Sequence, residues 1–263
     1  MKPYWTVFSA RFRALLQYRA AAMAGAWTNF FFGVIRMMIF WGFYASTNAP
    51  QPMSYPDTVT YIWLGQATFL LIMFRVEGDI ASMIRSGAIV YELARPVDLY
   101  NLWFSRTVAT KVAPTLLRCA PVLLFAGLFC GFKAPHSVAG GALFGCSIVV
   151  AVLLSSAIAT LITISLFWTM ASHGINRLFL GLAYVFSGIV IPLPLFPDWM
   201  QPMLNFMPFR GLMDTPFRIY MGHMPTSQAL SAMSHQIIWT VAFIALGRVL
   251  LSVGQKRLVV QGG

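Results

Sequence analysis

Residues 76–96 read V-E-G-D-I-A-S-M-I-R-S-G-A-I-V-Y-E-L-A-R-P, the longest stretch that is neither apolar enough for lipid nor irregular enough for a plain loop. Its first half repeats apolar residues at the spacing i, i+4, i+7 and i+8, which indicates a short helix with one apolar face. These residues are Val76, Ile80, Met83 and Ile84. Gly87 is placed to end this helix in a left-handed conformation, and Pro96 stops a second short helix over residues 88–95. A structured polar segment is therefore predicted within an apolar chain.

The composition of the chain is that of an integral membrane protein. Of its 263 residues, 59% are hydrophobic and only 10% are charged, whereas a soluble domain carries about 25% charged residues. The mean hydropathy is +0.73. A membrane span needs about 20 apolar residues, so the length allows about six spans and no sizeable soluble domain. We expect one transmembrane domain over residues 1–263.

The apolar runs predict an all-α polytopic fold with six transmembrane helices. The expected spans are residues 25–46, 58–74, 105–131, 138–170, 175–191 and 228–251. Before them, the apolar residues of residues 1–20 recur at helical spacing and predict an amphipathic helix in the headgroup plane. These residues are Trp5, Phe8, Phe12, Leu15 and Leu16. The fourth run is rich in Gly, Ala, Ser and Thr, which favours tight internal packing or a seam between subunits.

Basic residues set the expected orientation. The net charge is +11, but the cations lie at the ends of apolar runs rather than in clusters with exposed aromatics, which argues against nucleic acid. Lys133, Arg210 and Arg218 fall on the side expected to be external. The expected inner residues are Lys2, Arg11, Arg13, Arg19, Arg75, Arg85, Arg95, Arg106, Lys111, Arg177, Lys256 and Arg257. This excess predicts two cytoplasmic termini and a place in the cytoplasmic membrane.

A proline-rich stretch precedes the last span. The prolines of residues 192–210 forbid a continuous helix, although apolar residues continue among them. These are Pro192, Pro194, Pro197, Pro202 and Pro208. We expect short re-entrant pieces on the external side, shielded by protein. The charged residues at 198, 210 and 214 and His223 are expected to be solvated loop residues.

Arg36 and Arg118 lie within predicted spans. An unpaired cation at the centre of a span costs from about 2.5 kcal/mol upward, so both side chains must face protein or water. Arg36 has two alternative roles. It either lies in a substrate pathway or at a contact between subunits, or it is structural and pairs within the chain or extends to the membrane surface. The sequence leaves both alternatives open.

Motifs of catalysis and of ion coupling are missing from the sequence. There is no G-x-x-x-x-G-K-[ST], G-x-S-x-G or H-E-x-x-H, and no metal-ligand spacing. All seven acidic residues fall in predicted loops or interfaces, whereas ion-coupled transporters usually need intramembrane carboxylates. We therefore expect no catalytic residue, no bound cofactor or metal, and an energy source outside this chain.

Three features together resemble the permease subunits of type-2 ATP-binding-cassette (ABC) exporters, particularly a subgroup of small six-helix permeases. They are the basic amphipathic N-terminal helix, D-I-A-S-M-I-R-S-G-A-I-V-Y-E-L-A-R-P-V over residues 79–97, and S-G-I-V-I-P-L-P-L-F-P-D-W-M-Q over residues 187–201. The resemblance implies that residues 76–96 are a cytoplasmic coupling region that docks on a separate ATPase. The residues implied are Glu77, Asp79, Ile80, Met83, Ile84, Arg85, Gly87, Arg95 and Pro96.

The same resemblance implies external re-entrant pieces that contain Gly188, Pro192, Pro194, Pro197 and Trp199. Having both Pro192 and Pro194 departs from the family pattern and leaves the position of the first break open. The implied partners are a cytoplasmic ATPase that carries ATP and Mg²⁺, membrane lipids, and a second permease, with a heterodimer favoured over a homodimer.

The resemblance implies ATP-driven export, and the aromatic and Met-rich spans suit a lipid-like, amphipathic or drug-like substrate. The alternative is an ATP-independent transporter or scaffold, whose signature would be intramembrane carboxylates or an inverted repeat. A lipid-modifying enzyme would need a polar constellation at an interface.

Overall fold

The computed structural model describes residues 2–47, 49–169 and 173–256, and the regular structure in these ranges is all helical. The α-helices are α1 (Lys2–Leu16), α2 (Arg19–Ser46), α3 (Tyr55–Ala67), α4 (Gly78–Ser86), α5 (Val90–Leu93), α6 (Leu99–Phe129), α7 (Val138–Ile164), α8 (Leu166–Thr169), α9 (His173–Phe186), α10 (Gln201–Phe206), α11 (Asp214–Met221) and α12 (Thr226–Gln255). Short 3₁₀ turns cover Phe69–Leu71, Leu193–Leu195, Asp198–Met200 and Pro208–Leu212. The predicted all-α class is confirmed.

Within the described ranges, four helical segments are long and apolar enough to cross a membrane. They are α2, α6, α7 continued by α8, and α12, and their lengths of 28–32 residues exceed the roughly 20 residues that a span needs. Pro114 and Pro121 lie inside α6 and do not end it. Met170, the predicted end of the fourth span, lies outside the described residues.

The second and fifth predicted spans are not continuous helices. The α3 helix has 13 residues and ends at Ala67 rather than continuing to Phe74, and α9 has 14 residues and ends at Phe186 rather than Ile191. Neither reaches the length of a span by itself. The count of six spans therefore stays a prediction.

The end of α3 is stabilised by polar side chains from neighbouring helices. Asn29 Nδ2 of α2 donates to the Gln66 carbonyl at 2.9 Å. Lys111 Nζ of α6 donates to the carbonyls of Met73 and Leu70 at 2.7 and 3.1 Å. Ser155 Oγ of α7 donates to the Leu71 carbonyl. A helix can break inside an apolar bundle when neighbouring groups satisfy its carbonyls in this way.

The α7 helix is the central helix of the bundle. Of its most apolar 18-residue window 72% is buried inside the chain, compared with 22–28% for the other three candidate spans. Its small residues allow close contacts, and Ser147 Oγ donates to Gln236 Oε1 of α12 at 2.9 Å. The predicted tight internal packing is confirmed, while a seam with another subunit stays a prediction.

The contacts define two ends of the bundle. At one end, which we call the coupling end, Ile80 and Ile84 of α4 pack with Trp103 near the start of α6 and Leu251 near the end of α12. At the other, the re-entrant end, Gln236 Nε2 donates to the Gly211 carbonyl at 2.6 Å. Because α7 and α12 both run from the re-entrant end to the coupling end, they form a parallel pair.

The predicted N-terminal helix is present as α1. Its aromatic rings stack in succession, with centroids 5.2 Å apart for Trp5 and Phe8 and 5.7 Å apart for Phe8 and Phe12. Trp5 is 68% exposed, whereas Tyr4 and Val7 pack against the core at the coupling end. The helix is confirmed, and its position in a headgroup layer stays a prediction.

Candidate functional site

The coupling end presents α4 as a helix with one buried face and one exposed face. Ile80 and Ile84 are 1% and 5% exposed, and Met83 packs against the same apolar cluster. The opposite face consists of exposed polar residues, namely Asp79, Ser82, Arg85 and Ser86. The predicted amphipathic pattern is confirmed, and its apolar face is used within this chain.

Gly87 ends α4 in a left-handed conformation, as predicted. Its φ is +76°, which a residue with a side chain adopts only at a cost. The Ile89 N–H donates to the Met83 carbonyl at 3.1 Å, and the Gly87 N–H donates to the Ile84 carbonyl at 3.4 Å. This Schellman-like cap turns the chain away from α4.

Glu77 immediately precedes α4 and is directed towards α1. Its side chain is 7% exposed and accepts a hydrogen bond from Arg11 at 2.9 Å. Arg11 also lies 3.7 Å from Asp79, whose side chain is 75% exposed. The ion pair links α4 to the N-terminal helix, and it leaves Asp79 as the accessible carboxylate. The sequence did not predict that Arg11 pairs with Glu77, because the two residues are 66 positions apart and give no local signal.

Glu92 fixes the second part of the coupling region to α6. Its carboxylate is 5% exposed and accepts hydrogen bonds from Trp103 Nε1 at 2.9 Å and Arg106 at 2.7 Å. The predicted helix over residues 88–95 is only the single turn α5. Arg95 and Pro96 are exposed after it.

Anchoring of Glu92 turns the other side of α5 outward. Tyr91 is 78% exposed, and Val90 and Leu93 are each 36% exposed. Sequence reasoning did not single out these residues, because a run of mixed apolar and charged residues does not reveal which face is covered. These three residues form an apolar patch next to the exposed polar face of α4.

Asp98 is the N-cap of α6. Its Oδ1 accepts a hydrogen bond from the Asn101 N–H at 2.7 Å, and its own N–H donates to the Tyr4 hydroxyl at 2.9 Å. Arg248 of α12 lies 3.5 Å from the same carboxylate. Three helices therefore converge where the coupling region joins α6.

Arg36 pairs structurally with the backbone that follows α9. Its guanidinium donates to the Ile189 carbonyl, next to Gly188 with a φ of +91°. A Cβ at Gly188 would overlap the Tyr61 hydroxyl, so glycine is required here by both conformation and space. The structural pairing of Arg36 is therefore present, and a role in a pathway stays a prediction.

The first break of the re-entrant region lies before both prolines. The chain leaves helical conformation after Phe186, and Pro192 precedes the turn Leu193–Leu195, which contains Pro194. Pro197 precedes the next turn, where Trp199 is 77% exposed. The short pieces are present as expected, whereas their position relative to a membrane stays a prediction.

Asp214 is not the solvated loop residue expected from the sequence. It begins α11 and is 1% exposed, accepts a hydrogen bond from the Tyr61 hydroxyl at 3.2 Å, and lies 3.7 Å from Arg210 and 3.9 Å from Arg218. Burial raises the pKa of its carboxyl, while the two arginines oppose the rise. The expectation failed because α11 packs against α7 and α3 inside the bundle.

Arg118 lies on α6 against α2. A Cβ at Gly25 would collide with its guanidinium, and its Nε is buried without an acceptor in the described ranges. Within those ranges no three His, Cys, Asp or Glu side chains could together hold a metal ion.

Residues 30–262 match the model of a family described as ABC-2 family transporter protein. The chain belongs to this family. ABC-2 chains are membrane components of transport, and the family implies association with an ABC ATPase. The match includes residues 76–96 and 192–210 and begins within α2, after α1. No curated protein is similar enough to count as a match.

Proposed function

We propose that this chain is the permease subunit of an ATP-driven exporter and docks on a separate ATPase through the exposed face of its coupling region. One observation carries the proposal. An amphipathic helix, capped by Gly87, presents Asp79 and Arg85 at one end of a bundle of lipid-length helices. Family membership supports the same partner.

The structure divides the predicted coupling residues into two groups. Asp79 and Arg85 are exposed and form the proposed polar contacts, together with Arg95, Pro96 and Tyr91. The remaining residues position this surface through buried contacts, an ion pair or the turn that ends α4. These are Glu77, Ile80, Met83, Ile84 and Gly87.

Motion of a docked ATPase would reach the bundle through contacts that α4 and α5 already make. The Arg11–Glu77 ion pair connects α4 to α1, and Glu92 connects α5 to Arg106 and Trp103 of α6. The two carboxylates are buried, whereas the arginines are partly exposed. Such hydrogen-bonded pairs resist separation because a buried carboxylate would be left unpaired. We therefore propose that a movement of the ATPase displaces the coupling region and that α1 and α6 move with it.

In this proposal ATP and Mg²⁺ bind the partner, and this chain contributes no catalytic residue. The coupling end is cytoplasmic in the inner membrane, and a second, dissimilar permease completes the pathway. Large exposed apolar residues on α2 and α12 offer surfaces for that subunit or for lipid. They include Trp27, Phe31, Trp41, Ile238 and Val241. A lipid-like, amphipathic or drug-like substrate suits these surfaces, and Arg36 and Arg118 are the candidate cations beside the pathway.

The proposal is tested by charge reversal at the exposed face of α4. Asp79→Arg and Arg85→Glu should each reduce co-purification of a P-loop ATPase, identified by mass spectrometry, by about tenfold or more, because reversal replaces attraction by repulsion. Arg177→Glu, at an exposed residue of α9, is the matched control and should leave co-purification unchanged. Normal recovery of the ATPase with both reversed variants, at equal membrane insertion, would refute the docking face.

A further inference from the structure

A cavity of about 200 Å³ lies between the α1–α2 junction, the broken end of α3 and the middle of α6. Three basic side chains line it, Arg75, Lys111 and Arg118, and no acidic residue does. Its remaining walls are mostly apolar. They include Leu15, Tyr18, Leu70, Met73, Pro114 and Leu117.

The cations around this cavity lack carboxylate partners. Neither Arg75, Lys111 nor Arg118 forms an ion pair with an acidic residue in the described ranges. Lys111 Nζ is held by the Leu70 and Met73 carbonyls, and Arg118 Nε is buried without an acceptor. Like charges gathered in a partly apolar site repel one another, and an anion would relieve that repulsion.

The geometry points to a binding site for the phosphate of an anionic phospholipid, whose glycerol and acyl groups lie on the apolar walls. Guanidinium groups bind phosphate oxygens with charge-assisted hydrogen bonds, and Arg118, which lines the cavity, has an N–H without an acceptor in the described ranges. Basic pockets between transmembrane helices are suited to lipid headgroups. Free phosphate would use the cations but not the apolar walls.

The depth of the cavity also favours a lipid. Leu15 and Tyr18 belong to the junction between α1, which carries the exposed Trp5, and the lipid-length helix α2. With α1 in the headgroup plane, as its sequence predicts, this junction lies at the membrane surface. A lipid in the adjacent leaflet can therefore reach Arg75 and Arg118 without leaving the membrane.

The test measures thermal unfolding of the full chain in a neutral detergent during titration with short-chain phosphatidylglycerol. Short-chain phosphatidylcholine and inorganic phosphate are the comparison ligands. Phosphatidylglycerol should raise Tm, and its midpoint concentration should increase about tenfold or more in Arg118→Gln, which removes a charge-assisted contact. Arg177→Gln, an equal charge loss away from the cavity, should keep the wild-type midpoint.

Three outcomes would overturn the lipid site. If phosphatidylcholine raises Tm as much as phosphatidylglycerol does, the site does not recognise the negative charge of the lipid. If inorganic phosphate raises Tm as much, the site does not recognise the glycerol and acyl groups. An equal loss in Arg118→Gln and Arg177→Gln would indicate attraction to overall charge. If Arg118→Gln does not fold, Arg75→Gln replaces it, since Arg75 is exposed, and the wild-type ligand series decides independently.

Discussion

Glu77 and Asp79 are two positions apart and face different surroundings. The first is buried against Arg11, and the second is 75% exposed. The family resemblance implied that both contact a partner. Helical periodicity could not correct this, because it separates apolar from polar residues without distinguishing one polar residue from another. The distinction comes from α1, which covers one side of α4 through a contact remote in sequence. Single residues at this site therefore divide into those that position the surface and those that form it.

Gly87 is the residue whose role the sequence defined best, and its substitution gives a sharp prediction. No atom lies within 4 Å of a Cβ built there, so only the φ of +76° opposes a side chain. Gly87→Ala should lower the free energy of unfolding by about 1–2 kcal/mol, measured by thermal unfolding in detergent. Gly87→Asn should lower the free energy of unfolding clearly less than Gly87→Ala does, because Asn tolerates the left-handed conformation. Equal losses in the two variants would contradict this account.

Asp57 links three segments at the re-entrant end and predicts a pH dependence. Its carboxylate accepts a hydrogen bond from Lys133 at 2.8 Å and lies 3.2 Å from His223 Nε2. Burial would raise the pKa of Asp57, but hydrogen bonds from Lys133, Ser54 and His223 outweigh it and hold that pKa below its usual value. The stabilisation is therefore present above the unfolded-state pKa of about 3.9 and is lost as the pH falls through the lower folded-state pKa.

Asp57→Asn should consequently lower the free energy of unfolding by about 0.5–1 kcal/mol at neutral pH, and the difference from wild type should shrink as the pH falls below about 4. Thermal unfolding of both proteins across this range measures the difference. Lys133→Gln should show the same pH dependence, since it removes the same pair. A difference that stays constant with pH would argue against the ionised contact.

At the scale of elements, α3 departs most from prediction. Nothing in residues 66–74 resembles a helix terminator, since they contain neither proline nor glycine. The break depends on donors that reach it from elsewhere, namely Asn29, Lys111 and Ser155. The cap at Gly87 and the breaks at the prolines of residues 192–210 depend on local sequence and were predictable. A break whose carbonyls are satisfied by another helix was not.

Lys111 tests this explanation of the α3 break. Lys111→Met keeps most of the side-chain volume but leaves the part-buried carbonyls of Leu70 and Met73 without this donor, at a cost of up to about 1–3 kcal/mol each. Tm should fall by several degrees. Lys256→Met, at an exposed residue, should change Tm little. A Tm near the wild-type value in Lys111→Met would show that the break does not depend on this contact.

At the scale of the whole molecule, the apolar helices, the capped coupling helix and the proline-broken pieces were predictable because each depends on local composition and spacing. The buried position of Asp214 was not, because its helix α11 carries charged residues at both ends and enters the core only through contacts with distant segments. Of the three basic residues around the cavity, Lys111 and Arg118 lie on α6 and Arg75 follows the broken end of α3, so the sequence gave no sign of a site shared by all three.

The central claim, that the exposed face of the coupling region docks on an ATPase, is tested most directly by photo-cross-linking in native membranes. A photo-reactive amino acid is placed at Ser82 or Tyr91, on that face, and at Trp199, which is 77% exposed at the re-entrant end. The account predicts cross-links from residues 82 and 91 to a P-loop ATPase and none from residue 199. Cross-links to the ATPase from residue 199, or none from residues 82 and 91 while the ATPase co-purifies, would contradict it.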